Sequence, residues 1–361
     1  MREKHSKTTP RWIWSVLRSL FLIFNCSAAH FLLVAAALPP SVGTQGRYEA
    51  VEDPQSPTGI PYTRYHTIDR FDRKIAFYIN GNRNERLPIV VSILGSGAYS
   101  NFIQREGRIL DAHRIDREVF GGKAHLLIIE KPGIEFLEEH PERGVATQGS
   151  PEFRREHTLE RWAEAVSAAL RAARQLPLAD PGRCLVIGHS EGGVIAARVA
   201  AENPFVTHVA SLAGGGPPLL FDFLESARAG RLDLYKDLPS DPERQVARLL
   251  ADVADIQSDP DNPDKFWGGH PYRKWSTFWS SSPLEELLKT KARIFIAQGT
   301  ADKSGRTVAG FDVLFATLLA HGRPVTARLI EGADHGFGVA DHPERDGWKE
   351  MFEEIRDWFF K

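Results

Sequence analysis

Apolar positions along this chain follow two patterns that alternate with each other. Short continuous runs lie at Pro88 to Leu94, His125 to Ile129, Cys184 to Ile187, Val206 to Leu212, Arg293 to Ala297 and Val325 to Ile330. Each predicts a strand buried on both faces. Between them, apolar residues recur every three to four positions over Leu159 to Leu176, Gly193 to Ala201, Val308 to His321 and Trp348 to Phe360, which predicts amphipathic helices. Buried strands alternating with such helices imply an α/β protein, with a mostly parallel sheet and helices on both faces. Residues 64–80 predict an antiparallel hairpin that turns around Asp72 and Arg73. The stretch from Pro217 to Leu288 breaks the alternation. It is too long for a simple loop and carries helix-like segments, so it is read as a helical cap insertion.

The first forty residues have a different character. Arg2, Lys4, Lys7, Arg11 and Arg18 precede a mainly apolar run from Leu20 to Leu38, which ends in three alanines before Pro39 and Pro40. That order predicts a secretory signal over residues 1–38 with cleavage near Ala37, and a secreted or periplasmic protein. The alternative is an uncleaved membrane anchor, against which Asn25 and His30 inside the run count. The residues before Cys26 do not suit a lipid-modified cysteine. Residues 39–63 then predict a linker, and residues 64–361 the folded domain with its cap at about 217–288.

Composition narrows the function. Without residues 1–40 the chain keeps 40 basic and 46 acidic side chains, a formal charge of −6, and no basic cluster. This argues against nucleic acid as a partner. Cys184 is then the only cysteine, so no internal disulfide can form.

The strongest chemical signal is Gly188-His189-Ser190-Glu191-Gly192, directly after a predicted buried strand and opening a predicted helix. A serine at such a turn is held in strained backbone angles that lift its hydroxyl clear of the sheet, and glycines two residues away on either side avoid collision. A serine needs a base, and the base needs an orienting acid. Asp302 follows the Arg293 to Ala297 run, and His335 follows the last run on a glycine-rich loop. They stand in the chain order this architecture requires. Asp334 and His342 are rivals for the acid and the base, and His189 is expected to pack under the turn with its side chain away from the hydroxyl. Ser96, in Leu94-Gly95-Ser96-Gly97, is the candidate for one backbone N–H of an oxyanion hole, and Glu191 for the other. Asp259, Asp261 and Asp264 lack the glycine of a calcium loop, and no zinc motif occurs. Six aromatic residues between Phe266 and Trp279 are read as cap core, with some of them free to line an apolar pocket.

The run Gly188 to Gly193, the Gln298 to Asp302 stretch and Asp334-His335-Gly336 resemble the α/β-hydrolase superfamily, in particular its prolyl-oligopeptidase and dienelactone-hydrolase branch, over about residues 64–361. Glu130 to Gly133 is similar to a loop common in such enzymes. The resemblance implies a Ser190–Asp302–His335 triad with neither metal nor organic cofactor. Leu94 departs from it, since many relatives have histidine before the glycine. The expectation is a hydrolase of carboxylic esters, thioesters or small amides acting through an acyl-serine intermediate, and from that chemistry a small-molecule or short acyl substrate as its partner. An acyltransferase on the same triad and a non-catalytic binding module are the alternatives.

Overall fold

The computed structural model describes residues 48–361 except Arg143, Lys236, Asp237, Pro239 and Ser240. The signal or anchor expected in residues 1–38 lies outside the described residues. Every one of the six apolar runs is a strand, and hairpins add the others. In chain order the strands are β1 (Val51–Glu52), β2 (Tyr62–Ile68), β3 (Lys74–Asn80), β4 (Leu87–Ile93), β5 (Phe102–Arg105), β6 (Arg108–Asp111) and β7 (His125–Ile129). They continue as β8 (Ala179–His189), β9 (His208–Leu212), β10 (Phe266–Trp267), β11 (His270–Pro271), β12 (Arg293–Gly299) and β13 (Val325–Ile330). The helices are α1 (Arg114–Phe120), α2 (Pro151–Glu156), α3 (Leu159–Ala173), α4 (Glu191–Glu202) and α5 (Leu219–Arg228). After them come α6 (Pro242–Ser258), α7 (Tyr272–Phe278), α8 (Pro283–Lys289), α9 (Val308–Ala320) and α10 (Gly347–Phe360).

Among the described residues nine strands form one sheet, in the order β1-β2-β3-β7-β4-β8-β9-β12-β13. The ladders from β7 through β13 are parallel, and those joining β1, β2, β3 and β7 are antiparallel. Strands β7 and β9 are buried at every position, as continuous apolar runs require when helices cover both faces. On one face Trp162 of α3, Val194 of α4 and Leu314 of α9 pack into a common core. On the other, Phe120 of α1 and Phe352, Ile355 and Phe359 of α10 do so. Parallel order brings the carboxyl ends of β4, β8 and β12 to the same edge, where loops meet a ligand in open α/β sheets.

Three expectations need correction. The last run, β13, is not buried on both faces: it is the edge strand, with Arg328 and Leu329 exposed. The linker does not extend to residue 63. Val51–Glu52 pairs with β2, the strand β2 itself starts at Tyr62, and the Tyr48 hydroxyl donates to Glu164 at 3.2 Å under the Arg171 guanidinium. The stretch 217–288 holds α5 to α7 and all of α8 but its last residue, and α8 belongs to the helical layer over the sheet. Its Leu287 is fully buried there, and Glu286 accepts from Arg198 of α4 at 2.8 Å.

Candidate functional site

Ser190 stands between β8 and α4 with φ 58° and ψ −121°, a region costly for any residue with a side chain. Close packing explains the flanking glycines. A Cβ on Gly188 would come within 1.9 Å of the Gly192 carbonyl, and one on Gly192 within 2.3 Å of the Ile93 carbonyl at the end of β4. Helices α3, α9 and α10 start with a Thr or Asp side chain that accepts an N-terminal amide. No such bond caps α4, whose first residue outside the helix is Ser190. The positive end of its dipole is therefore left facing the serine.

His335 lies on the loop after β13, and its Nδ1 is 2.8 Å from Asp302 Oδ2. Asp302 follows β12 and is held in place by three further donors: Gln298 Nε2 at 2.9 Å and the Ser304 amide and hydroxyl at 2.7 Å each. Burial opposes ionisation of this carboxyl, but the contacts to His335 and Ser304 outweigh it and hold it at about 2. The rival Asp334 is exposed and turned into its own loop, accepting the amides of Gly336 and Gly338 at 2.9 Å each. His342 is exposed beside Glu344. His189 packs beneath His335, ring centroids 4.5 Å apart, against Trp348, and donates from Nε2 to the His335 carbonyl at 2.7 Å. Burial lowers its pKa to about 4, so it stays a neutral prop.

Ser96 and Gly95 face the same serine. A Cβ on Gly95 would sit 3.2 Å from the Ser190 Cβ, a contact tight enough to press on the serine. The buried ammonium of Lys131 donates to the Gly95 and Gly97 carbonyls at 2.6 and 2.9 Å, one on each side of Ser96. Burial pulls this lysine down to about 8, while the negative charge of Glu191 works the other way.

The Glu191 side chain is also part of the site, although sequence reasoning used only its amide. Its carboxylate is buried, accepts from His157 Nε2 at 2.6 Å and lies 3.3 Å from Lys274 Nζ. Burial opposes the charge, yet His157 and Lys274 hold the carboxyl well below the ordinary range. His157 comes from the end of α2 and Lys274 from α7, so this cluster ties the serine turn to the inserted helices. Nothing in the local sequence around His157, Lys274 or Ser304 marks them. Only Lys131 stood in a run already singled out.

Two cavities meet at Ser190. One, of about 300 Å³, contains Gly95, Ser96, Ser190 and His335. The other, of about 280 Å³, contains Ser96, Ser190 and Glu191, and its far wall is formed by Phe223, Trp275 and Phe278 of the inserted helices. A larger cleft of about 750 Å³ reaches Asp302 but not Ser190. Among the described residues no group of three or more His, Cys, Asp or Glu side chains could hold a metal ion. Of the carboxylates Asp259, Asp261 and Asp264, each is paired with a Lys or Arg. No helix among the described residues is long and apolar enough to cross a membrane.

No curated protein matches the sequence. The fold is similar to that of Est1E from Butyrivibrio proteoclasticus at 18% identity and a TM-score of 0.51, covering 82% of this chain and 98% of that one. It is similar to uncomplexed Pyrococcus horikoshii acylaminoacyl peptidase at 14% identity and a TM-score of 0.55, covering 84% of this chain but 42% of the peptidase. Porphyromonas gingivalis dipeptidyl peptidase 4 matches at 12% identity and a TM-score of 0.52, over 83% of this chain and 36% of that one. This chain thus spans less than half the length of either peptidase. The sequence model of the Alpha/beta hydrolase family matches residues 140–345, a stretch that contains Ser190, Asp302 and His335. The chain belongs to the alpha/beta hydrolase family.

Proposed function

We propose that this protein is a serine hydrolase that cleaves carboxylic esters, thioesters or small amides through an acyl-serine intermediate. The observation that carries the reading is a strained Ser190 at the uncapped start of α4, on the wall of one cavity with His335, whose Nδ1 lies 2.8 Å from Asp302. In this reading His335 Nε2 takes the Ser190 proton as Oγ attacks the carbonyl carbon. The tetrahedral oxyanion is received by the amides of Ser96 and Glu191, and Lys131 is the residue that keeps the first of these in place. His335 then returns the proton to the leaving group. Water, deprotonated by the same imidazole, attacks the acyl-serine and restores the hydroxyl. Asp302 holds the Nδ1–H tautomer and stabilises the imidazolium in both halves.

The helices between β9 and β12 supply the apolar wall, so in this reading they act as a cap that selects substrates. Fluorophosphonate labelling tests the proposal directly. The wild-type protein is expected to be labelled at Ser190, and Ser190→Ala to lose the label together with roughly 10⁴-fold or more of its p-nitrophenyl ester turnover. A label that persists in Ser190→Ala, or that maps to another residue, refutes the assignment.

A further inference from the structure

The cavity formed by Ser190 and the inserted helices is charged in a way that ester hydrolysis alone does not need. Its lining includes four cations, Arg231, Lys274, Lys303 and Arg306, against two carboxylates, Glu191 and Asp233. This excess sits in a chain whose formal charge is −2. Two of the cations are buried, Lys274 at 4% and Arg306 at 8% exposure, which is rare for side chains of this kind unless a partner repays the lost hydration.

Arg306 is the less well partnered of the two, since Lys274 also has the Trp275 ring centroid 3.8 Å from its ammonium. Arg306 faces Asp222 at 3.6 Å, beyond ordinary hydrogen-bond range. Asp222 is meanwhile held through its other oxygen by the Thr307 hydroxyl at 2.6 Å and the Thr307 amide at 3.2 Å. A guanidinium has five donors, and one distant carboxylate leaves most of them unused. Lys274 lies 3.3 Å from Glu191, whose carboxylate His157 already engages from the other side. On the same wall His270 is 4% exposed, and its Nδ1 has no hydrogen-bond partner. Burial depresses the pKa of both cations and of His270, as expected of groups whose hydration has not been replaced.

We infer that this cavity receives a substrate bearing a carboxylate, which Arg306 and Lys274 bind while the scissile carbonyl lies at Ser190. The inference deepens the hydrolase reading and rests on it. A single negative charge fits better than a doubly charged phosphate, because each cation already shares its charge with one protein carboxylate. The aromatic side chains of Phe223, Trp275 and Phe278 on the same walls suit an apolar spacer between the carboxylate and the ester. Arginine offers a carboxylate paired N–H groups in a fixed plane, which gives orientation as well as affinity.

Two matched pairs of substrates test this, each rate corrected for spontaneous hydrolysis. Mono-p-nitrophenyl glutarate against p-nitrophenyl pentanoate places the charge on the acyl side. Phenyl acetate carrying a para-carboxylate against phenyl acetate itself places it on the leaving group. The wild-type protein is expected to favour the charged member of at least one pair by tenfold or more in kcat/KM. Arg306→Gln is expected to bring that ratio to about one. Since this variant strands Asp222, the double variant Asp222→Asn, Arg306→Gln is measured as well, and the same collapse is expected in it. No preference in either pair, with Ser190 still labelled by fluorophosphonate, overturns the carboxylate site alone. A preference that survives in the double variant overturns the role of Arg306. Loss of labelling in the wild-type protein would instead strike the hydrolase reading.

Discussion

Ser190 and His335 are separated by 145 positions in the chain, yet both line one cavity of about 300 Å³. At the scale of single residues, the choice between two neighbouring acids is the sharpest test. The Asp302 side chain is buried, held low in pKa and bonded to His335, whereas Asp334 spends its carboxylate on the amides of its own loop. Asp302→Asn is expected to lower kcat by roughly 10⁴-fold, because an amide there favours the wrong imidazole tautomer. Asp334→Asn is expected to cost less than tenfold in kcat and to show up mainly as a lower melting temperature. Steady-state kinetics on one chromogenic ester ranks the two, and the reverse order would move the acid to position 334.

Among the elements, α7 carries two tryptophans that sequence reasoning could not tell apart: Trp275 within the helix and Trp279 at its end. Both are 5% exposed. Only Trp275 lies on the wall of the Ser190 cavity, with its ring over Lys274 Nζ at 3.8 Å. Trp279 packs against Trp267 at 5.3 Å and Trp275 at 6.0 Å, deeper among the inserted helices. Trp275→Phe keeps an aromatic ring but opens the wall, and is expected to shift the preferred acyl length on a series of neutral p-nitrophenyl esters. Apolar pockets discriminate by about 1–3 kcal/mol per methylene, so the shift should reach tenfold or more between adjacent lengths. Trp279→Phe is expected to leave the profile as in wild type and to lower only the melting temperature. Identical profiles for both variants would mean that α7 does not touch the acyl group.

Across the whole molecule, buried histidines tie stability to pH. Burial lowers the pKa of His157, His189, His208 and His270, the second and third to about 4. Such groups bind more protons unfolded than folded between their folded pKa and about 6.5. Their stabilising effect is therefore complete above about pH 6.5 and is lost as pH falls toward 4. For His189 alone the difference is about 3 kcal/mol. The carboxylates of Glu191 and Asp302, held low, act in the same direction at more acid pH. Burial of Glu130, raised to about 7, works against them, since its folded form holds a proton that the unfolded chain gives up. Asp222, also raised by burial, opposes them too, and the four histidines with Glu191 and Asp302 still leave a net loss. Urea unfolding at pH 4.5 is expected to show a lower midpoint than at pH 7, and an equal or higher midpoint at pH 4.5 would contradict this account.

The sequence by itself determined six strands of the large sheet, the β2–β3 hairpin and the serine turn, and it placed Asp302 and His335 after β12 and β13 in that order. All of these are local: a buried strand must be apolar along its length, and a turn as tight as that at Ser190 excludes side chains at Gly188 and Gly192. The edge position of β13 was not legible, because the same apolar run serves a strand with one covered flank or two. Nor were His157, Lys274, Ser304 and Arg306, polar residues that carry no periodicity or motif of their own, and the contacts of Lys131 were not legible from its loop motif. Their meaning depends on distances that only the folded chain creates, such as 2.6 Å from Lys131 to the Gly95 carbonyl and from His157 to Glu191. An ionisable side chain is recognised as part of a site by the desolvation it suffers and the partner it finds, and tertiary packing decides both.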